Sequence, residues 1–216
     1  MKKEAKFRLF FAVSTLTAFA VWTLLVSIID VKAIGPNGSA VGFAALNAFV
    51  HRITGVNMDL YSITDWLGLV PIFVCISFAI FGLIQWIKRK KIKKVDYSIF
   101  VLGGFYVIVI AAYLLFENLI INYRPVLING FLEASYPSST TMLVLCVMPT
   151  AIMQLKDRIR NKLLFKIITA AICAFIIFMV IGRLLSGVHW FSDIIGGILL
   201  STGLVALYDF AVKLKK

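Results

Sequence analysis

The sequence predicts an all-α fold, an integral-membrane bundle of six transmembrane helices with both termini in the cytoplasm. Composition is the first observation behind this. Residues AVILMFWYC make up 61% of the 216-residue chain, against roughly 45–50% apolar residues in an average soluble domain. Mean hydropathy is +0.97 and only 15% of residues are charged, where about 25% is usual. A water-soluble globule could not hide so much apolar surface, and a disordered chain needs low hydrophobicity and high charge. The second observation is a series of long uncharged apolar runs, and the third is the placement of the charges between them.

The runs span 9–29, 66–87, 97–116 and 134–155, followed by two shorter ones at 167–182 and 194–208. A helix needs about 20 residues to cross the hydrocarbon core, within a range of roughly 17–25. The first four satisfy this directly. The last two reach it if Arg183, Asp193 and Asp209 lie near helix ends, where long side chains reach back toward the interface. The first run is too long for a signal-peptide core and has no clear small-x-small cleavage site, so it reads as a retained span. Cys75, Cys146 and Cys173 fall inside predicted spans without metal-ligand spacing and read as small buried apolar residues. No internal repeat or linker divides the chain, so residues 1–216 form one membrane-embedded domain.

The net charge of +12 has an address. Lys2, Lys3, Lys6 and Arg8 precede the first span, and Lys88 to Lys94 follow the second. Lys156 to Lys166 follow the fourth, and Lys213, Lys215 and Lys216 end the chain. Of 22 Lys and Arg residues, only Lys32, Arg52, Arg124 and Arg183 fall on the other side. This asymmetry puts both termini in the cytoplasm and the other loops outside, in a multi-pass protein of the plasma membrane. Basic runs beside spans are attracted to anionic headgroups, so the charge calls for no nucleic acid. The span interiors are almost free of charged residues, which counts against a transport pathway.

The outer loops hold whatever chemistry faces outward. The first, residues 30–65, is rich in small residues, with a middle apolar enough to lie on the interface as a short helix; His51, Arg52, Asn57 and Asp59 follow it. The second carries Glu117, Asn122, Tyr123, Arg124, Pro125, Glu133 and Tyr136-Pro137-Ser138-Ser139-Thr140; the third runs from Arg183 to Asp193. Two guanidiniums from separate loops suit a phosphate, because arginine offers its oxygens bidentate donors. Ser138, Ser139 and Thr140 open the fourth span, and a helix N-terminus is itself an anion site. His189 and Asp193 are four residues apart and share a face if helical, so the carboxylate holds one imidazole nitrogen and frees the other as base or nucleophile. A phosphate clamp beside an oriented imidazole points to phosphoryl transfer through a phosphohistidine.

These residues resemble the type 2 phosphatidic acid phosphatase superfamily, which includes membrane lipid phosphatases and soluble vanadium haloperoxidases. Its motifs are K-x6-R-P, P-S-G-H and S-R-x5-H-x3-D. Arg124-Pro125 matches the end of the first, Pro137-Ser138 the start of the second, and Arg183, His189 and Asp193 the third with spacing intact. The resemblance implies six spans with the motifs at the outer ends of the third to sixth. It also implies His189 as nucleophile, Asp193 as its orienting partner, and Arg124, Arg183 and Ser138 as phosphate ligands. Glu117 stands at the first motif's lysine, Ser139 and Thr140 at the glycine and histidine of the second, and Gly182 at the serine of the third. The family's histidine at the Thr140 position protonates the leaving oxygen, which threonine does poorly near neutral pH.

Three expectations follow from these departures. The substrate is a phosphorylated membrane lipid, a polyprenyl or other lipid diphosphate rather than phosphatidic acid, because a diphosphate leaves as phosphate and needs little protonation. Alternatively Glu117, Glu133, Tyr136 or His51 replaces the acid, or the chain is a relative that binds phosphorylated lipids without turnover, or a lipid phosphotransferase. No cofactor is implied, and no metal, since converging arginines repel a cation and no suitable ligand cluster exists.

Overall fold

Backbone N–H and C=O groups in hydrocarbon must be satisfied within their own segment, so apolar runs become helices. The computed structural model describes residues 3–215; Lys2 and Lys216, two of the flanking cations, lie outside them. Its helices are α1 (Lys3–Ile28), α2 (Ala44–Thr54), α3 (Met58–Leu67), α4 (Leu69–Arg89), α5 (Tyr97–Asn118), α6 (Ser139–Lys156), α7 (Lys162–Leu185) and α8 (Phe191–Lys213). Among the described residues, six stretches are long and apolar enough to span a bilayer, the second being α3 continued into α4.

Three boundaries differ from the sequence expectation, each for a local reason. The fourth span enters its helix only at Ser139. The segment before it stays extended because Pro137 disfavours a helical residue ahead of it, and because residues 133–135 pair with 122–124. His51 and Arg52 do not follow the interfacial helix but sit in the last turn of α2. The chain beyond them is helical as α3, where the Asn57 side chain accepts from Leu60 N at 2.8 Å and Asp59 lies in the first turn. Arg183 and Asp193 do not reach for the interface. They are buried, at 1% and 0% exposure, inside a polar cluster that compensates their charges.

Helices α6 and α8 are innermost: 50% and 44% of their apolar windows are buried, against 6% for the α3–α4 span and for α7. Small residues allow that closeness, as helix association in lipid requires. A Cβ on Gly203 of α8 would press into Leu16 of α1, and one on Gly197 would meet Thr141 of α6. Phe19, Leu102, Phe105, Met142, Cys146, Leu204 and Tyr208 fill the space between α1, α5, α6 and α8. At the end bearing the basic runs, Arg8 pairs with Asp209 and Gln85 Nε2 donates to Asp96 at 2.7 Å. At the opposite end, a two-stranded ribbon, β1 (Lys32–Ala33) with β2 (Ala40–Val41), precedes α2. Between α5 and α6 a second arm folds back on itself: Arg124 N donates to the Glu133 carbonyl at 3.0 Å and Ser135 N to the Asn122 carbonyl at 2.9 Å. That pairing brings both limbs of the arm over the N-terminus of α8.

Candidate active site

Three helix ends and the arm converge on His189. The residue lies in the turn between α7 and α8, so it does not share a helix face with Asp193 as the i, i+4 spacing predicts. Gly187 makes the turn possible, with φ +68°; a Cβ there would come 1.9 Å from the Gly55 carbonyl oxygen. Asp193 sits in the first turn of α8, where its carboxylate accepts from Trp190 N at 2.9 Å and so turns back toward the site.

The imidazole is 3% exposed and faces two cations. Its Nε2 lies 3.4 Å from Arg124 Nη1 and 3.2 Å from Arg183 Nη2. A guanidinium has no acceptor, so Nε2 carries a lone pair there and the ring proton belongs on Nδ1. Burial first, then the charges of Arg124 and Arg183, hold the imidazole well below its ordinary value of 6.5. The ring is therefore neutral, with a free electron pair between two guanidiniums. The arginines are themselves positioned: Arg124 Nε pairs with Glu133 at 3.0 Å. Arg183 Nη1 reaches Thr64 at 3.5 Å and Asp65 at 3.8 Å, and its guanidinium lies over the Tyr61 ring. Gly182, at the motif's serine position, admits this buttress, since a Cβ would come 2.8 Å from the Thr64 methyl.

Asp193 does not touch the imidazole directly. Its nearest oxygen is 3.9 Å from His189 Nδ1, and Ser135 stands between them. Ser135 Oγ lies 3.1 Å from Nδ1 and donates a short hydrogen bond to Asp193 Oδ2. Asn122 Nδ2 donates to the other carboxylate oxygen at 3.1 Å, and Ser192 lies beside it. Asn47 of α2 fastens this layer, donating to Gly42 O and Ser192 Oγ and accepting from Ser192 N. Ser135, Asn122 and Asn47 were invisible to motif spacing. A lone serine two residues before a proline, and asparagines in loops, have the same local pattern as ordinary turn residues.

A cavity of about 260 Å3 opens onto His189 and is lined by Arg124, Glu117, Glu133, Ser135 and Ser139, with Tyr113 and Phe116 on its apolar side. The expected second-motif donors divide. Ser139 lines the cavity, whereas the Ser138 N–H is taken by the Asp193 carbonyl at 3.0 Å and its hydroxyl is buried without a partner. Thr140 instead lines a neighbouring groove of about 570 Å3 with Asp65, which shares Tyr113, Ser139 and Met142 with the cavity. Of the residues weighed as replacement acids, Glu117, Glu133 and Tyr136 line the cavity. The Tyr136 hydroxyl is engaged by Thr23 Oγ1 at 2.6 Å, and His51 by the Gly187 carbonyl at 3.1 Å and the Trp190 ring.

Fold and site together define a helical membrane protein with a paired-arginine pocket around a buried neutral histidine. The sequence profile of the PAP2 superfamily matches residues 72–213, and the chain belongs to that superfamily. Among solved structures, it is similar to a transmembrane PAP2-type phosphatidylglycerolphosphate phosphatase from Bacillus subtilis. The TM-score is 0.61 and the identity 18%, over 93% of this chain and 94% of that one. No curated protein sequence matches it significantly.

Proposed function

We propose that the protein is a lipid phosphatase whose site faces the outside of the plasma membrane and works through a phosphohistidine at His189. The observation that carries this is the approach of Arg124 and Arg183 to one nitrogen of a buried imidazole. The two guanidiniums, with Ser139 on the cavity wall, bind the phosphoryl oxygens. The Nε2 lone pair forms the P–N bond, the P–O bond to the leaving oxygen breaks, and its electron pair departs on that oxygen. Water then cleaves the P–N bond and releases phosphate. Charge developing on the equatorial oxygens meets preorganised donors, the usual main source of such catalysis.

The leaving group sets the substrate. Thr140 supplies no acid and opens to the neighbouring groove, so a lipid diphosphate, which expels phosphate, suits the site better than phosphatidic acid. A second reading keeps a phosphomonoester, with Glu117 or Glu133 as the acid, and is favoured by both carboxyls lining the cavity.

A panel of polyprenyl diphosphate, phosphatidic acid and phosphatidylglycerolphosphate, assayed with purified protein, decides between them. The first reading expects the diphosphate to be preferred, Glu117→Gln to retain diphosphate turnover, and His189→Ala to abolish it. Loss of monoester turnover by about 100- to 10,000-fold in Glu117→Gln or Glu133→Gln, with diphosphate turnover kept, supports the acid reading. Lipid binding without turnover identifies a non-catalytic relative, and phosphate appearing on a lipid acceptor rather than in water identifies a phosphotransferase.

A further inference from the structure

The direct contact that the H-x3-D spacing leads one to expect between His189 and Asp193 is absent at 3.9 Å, and Ser135 fills the gap. The hydrogen-bond direction along this chain is fixed by what surrounds it. Nε2 faces two groups that only donate, so Nδ1 carries the ring proton. Ser135 Oγ accepts that proton's hydrogen bond and has one hydrogen left to give, to Asp193 Oδ2. Asp193 is held by Asn122, Ser192 and the Trp190 N–H, all donors, and is thereby kept an acceptor. The order is Nδ1–H to Oγ–H to carboxylate. Ser135 is 2% exposed and is placed independently of these contacts, by its backbone bond to Asn122 in the paired arm. The arm that brings Arg124 to the phosphate side of the ring therefore brings Ser135 to the far side.

We propose that Ser135 is a positioning residue of the phosphoryl transfer, a hydroxyl relay through which Asp193 holds the Nδ1–H of His189 and so orients the ring. When the Nε2 lone pair forms the P–N bond and the leaving oxygen takes the electrons of the P–O bond, positive charge develops on the ring. The proton stays on Nδ1, and the carboxylate stabilises that charge through the polarised serine hydroxyl. The phosphate ligands are untouched, so the relay acts on the chemical step rather than on binding.

This rests on the phosphatase reading, and the test separates the two. In the substrate panel, Ser135→Ala is expected to lower kcat about 10- to 100-fold through loss of ring alignment, with KM little changed. Ser135→Thr, which keeps the hydroxyl, restores most of the rate. Adding Asp193→Asn to Ser135→Ala costs little more, because the carboxylate acts through the missing hydroxyl. A Ser135→Ala enzyme within about twofold of wild type, or effects of the two substitutions that multiply, overturns the relay. A second measurement needs no turnover. The chain has two histidines, so 15N spectra of histidine-labelled protein, with His51→Gln for assignment, report the Nδ1–H of His189 and the hydrogen bond it makes. The relay requires an Nδ1–H signal whose shift moves in Ser135→Ala, where its acceptor is gone; a signal unchanged in position contradicts it. A wild type inactive on every lipid retires the phosphatase reading alone.

Discussion

His189 shows how a single side chain is tuned by what it cannot avoid. Burial and two adjacent guanidiniums all penalise the imidazolium, so its titration lies well below 6.5 and the ring stays unprotonated through neutral pH. Removing a cationic neighbour favours the protonated ring, so Arg124→Gln should move the acidic limb of the kcat/KM profile upward. It should also cost about 100- to 1,000-fold in rate through the lost phosphate donor. Comparing wild type and variant on one substrate cancels the titration of the lipid phosphate itself. A limb that stays in place or moves down would show that Arg124 does not face the working nitrogen. The residues of this site that could be read beforehand, Arg124, Arg183, His189 and Asp193, are those whose chemistry is rare in a membrane chain. Ser135 could not be read, because its place beside His189 comes from a backbone bond to Asn122, about a dozen residues earlier in the chain.

At the scale of elements, the site depends on how tightly helices and turns approach. The α7–α8 turn passes so close to Gly55 that only glycine fits at position 187, and its positive φ adds strain for any L side chain. Gly187→Ala should lower stability by at least about 1–2 kcal/mol, read as a drop in melting temperature in detergent, with a larger loss of activity because His189 is two residues away. A variant as stable and active as wild type would mean the turn is free to relax. Span lengths were legible from hydropathy, since the bilayer sets them. The onset of α6 at Ser139 was not, because pairing of residues 133–135 with 122–124 competes with helix formation over an equally uncharged stretch. Nor was α3, whose helix depends on an asparagine cap inside a segment that reads as loop.

For the whole molecule, the arrangement of charge makes a claim about sides. The basic flanks lie at one end of the bundle and the paired arginines at the other, and on the proposed positive-inside orientation the cavity opens outside the cell. In a cysteine-free background, a membrane-impermeant thiol reagent should label Asn129→Cys on intact cells and reach Lys91→Cys only after permeabilisation. The reverse pattern would place the site in the cytoplasm and exclude externally presented lipids as substrates.

The central claim is that His189 accepts the phosphoryl group, and trapping the intermediate tests it most directly. Purified protein mixed with a lipid diphosphate radiolabelled in its terminal phosphate and quenched within one turnover should carry protein-bound label that survives alkali and is lost in acid, as expected of a phosphohistidine. That label should map to the peptide containing His189 and be absent from His189→Ala. Turnover that persists in His189→Ala at the wild-type rate would contradict the account.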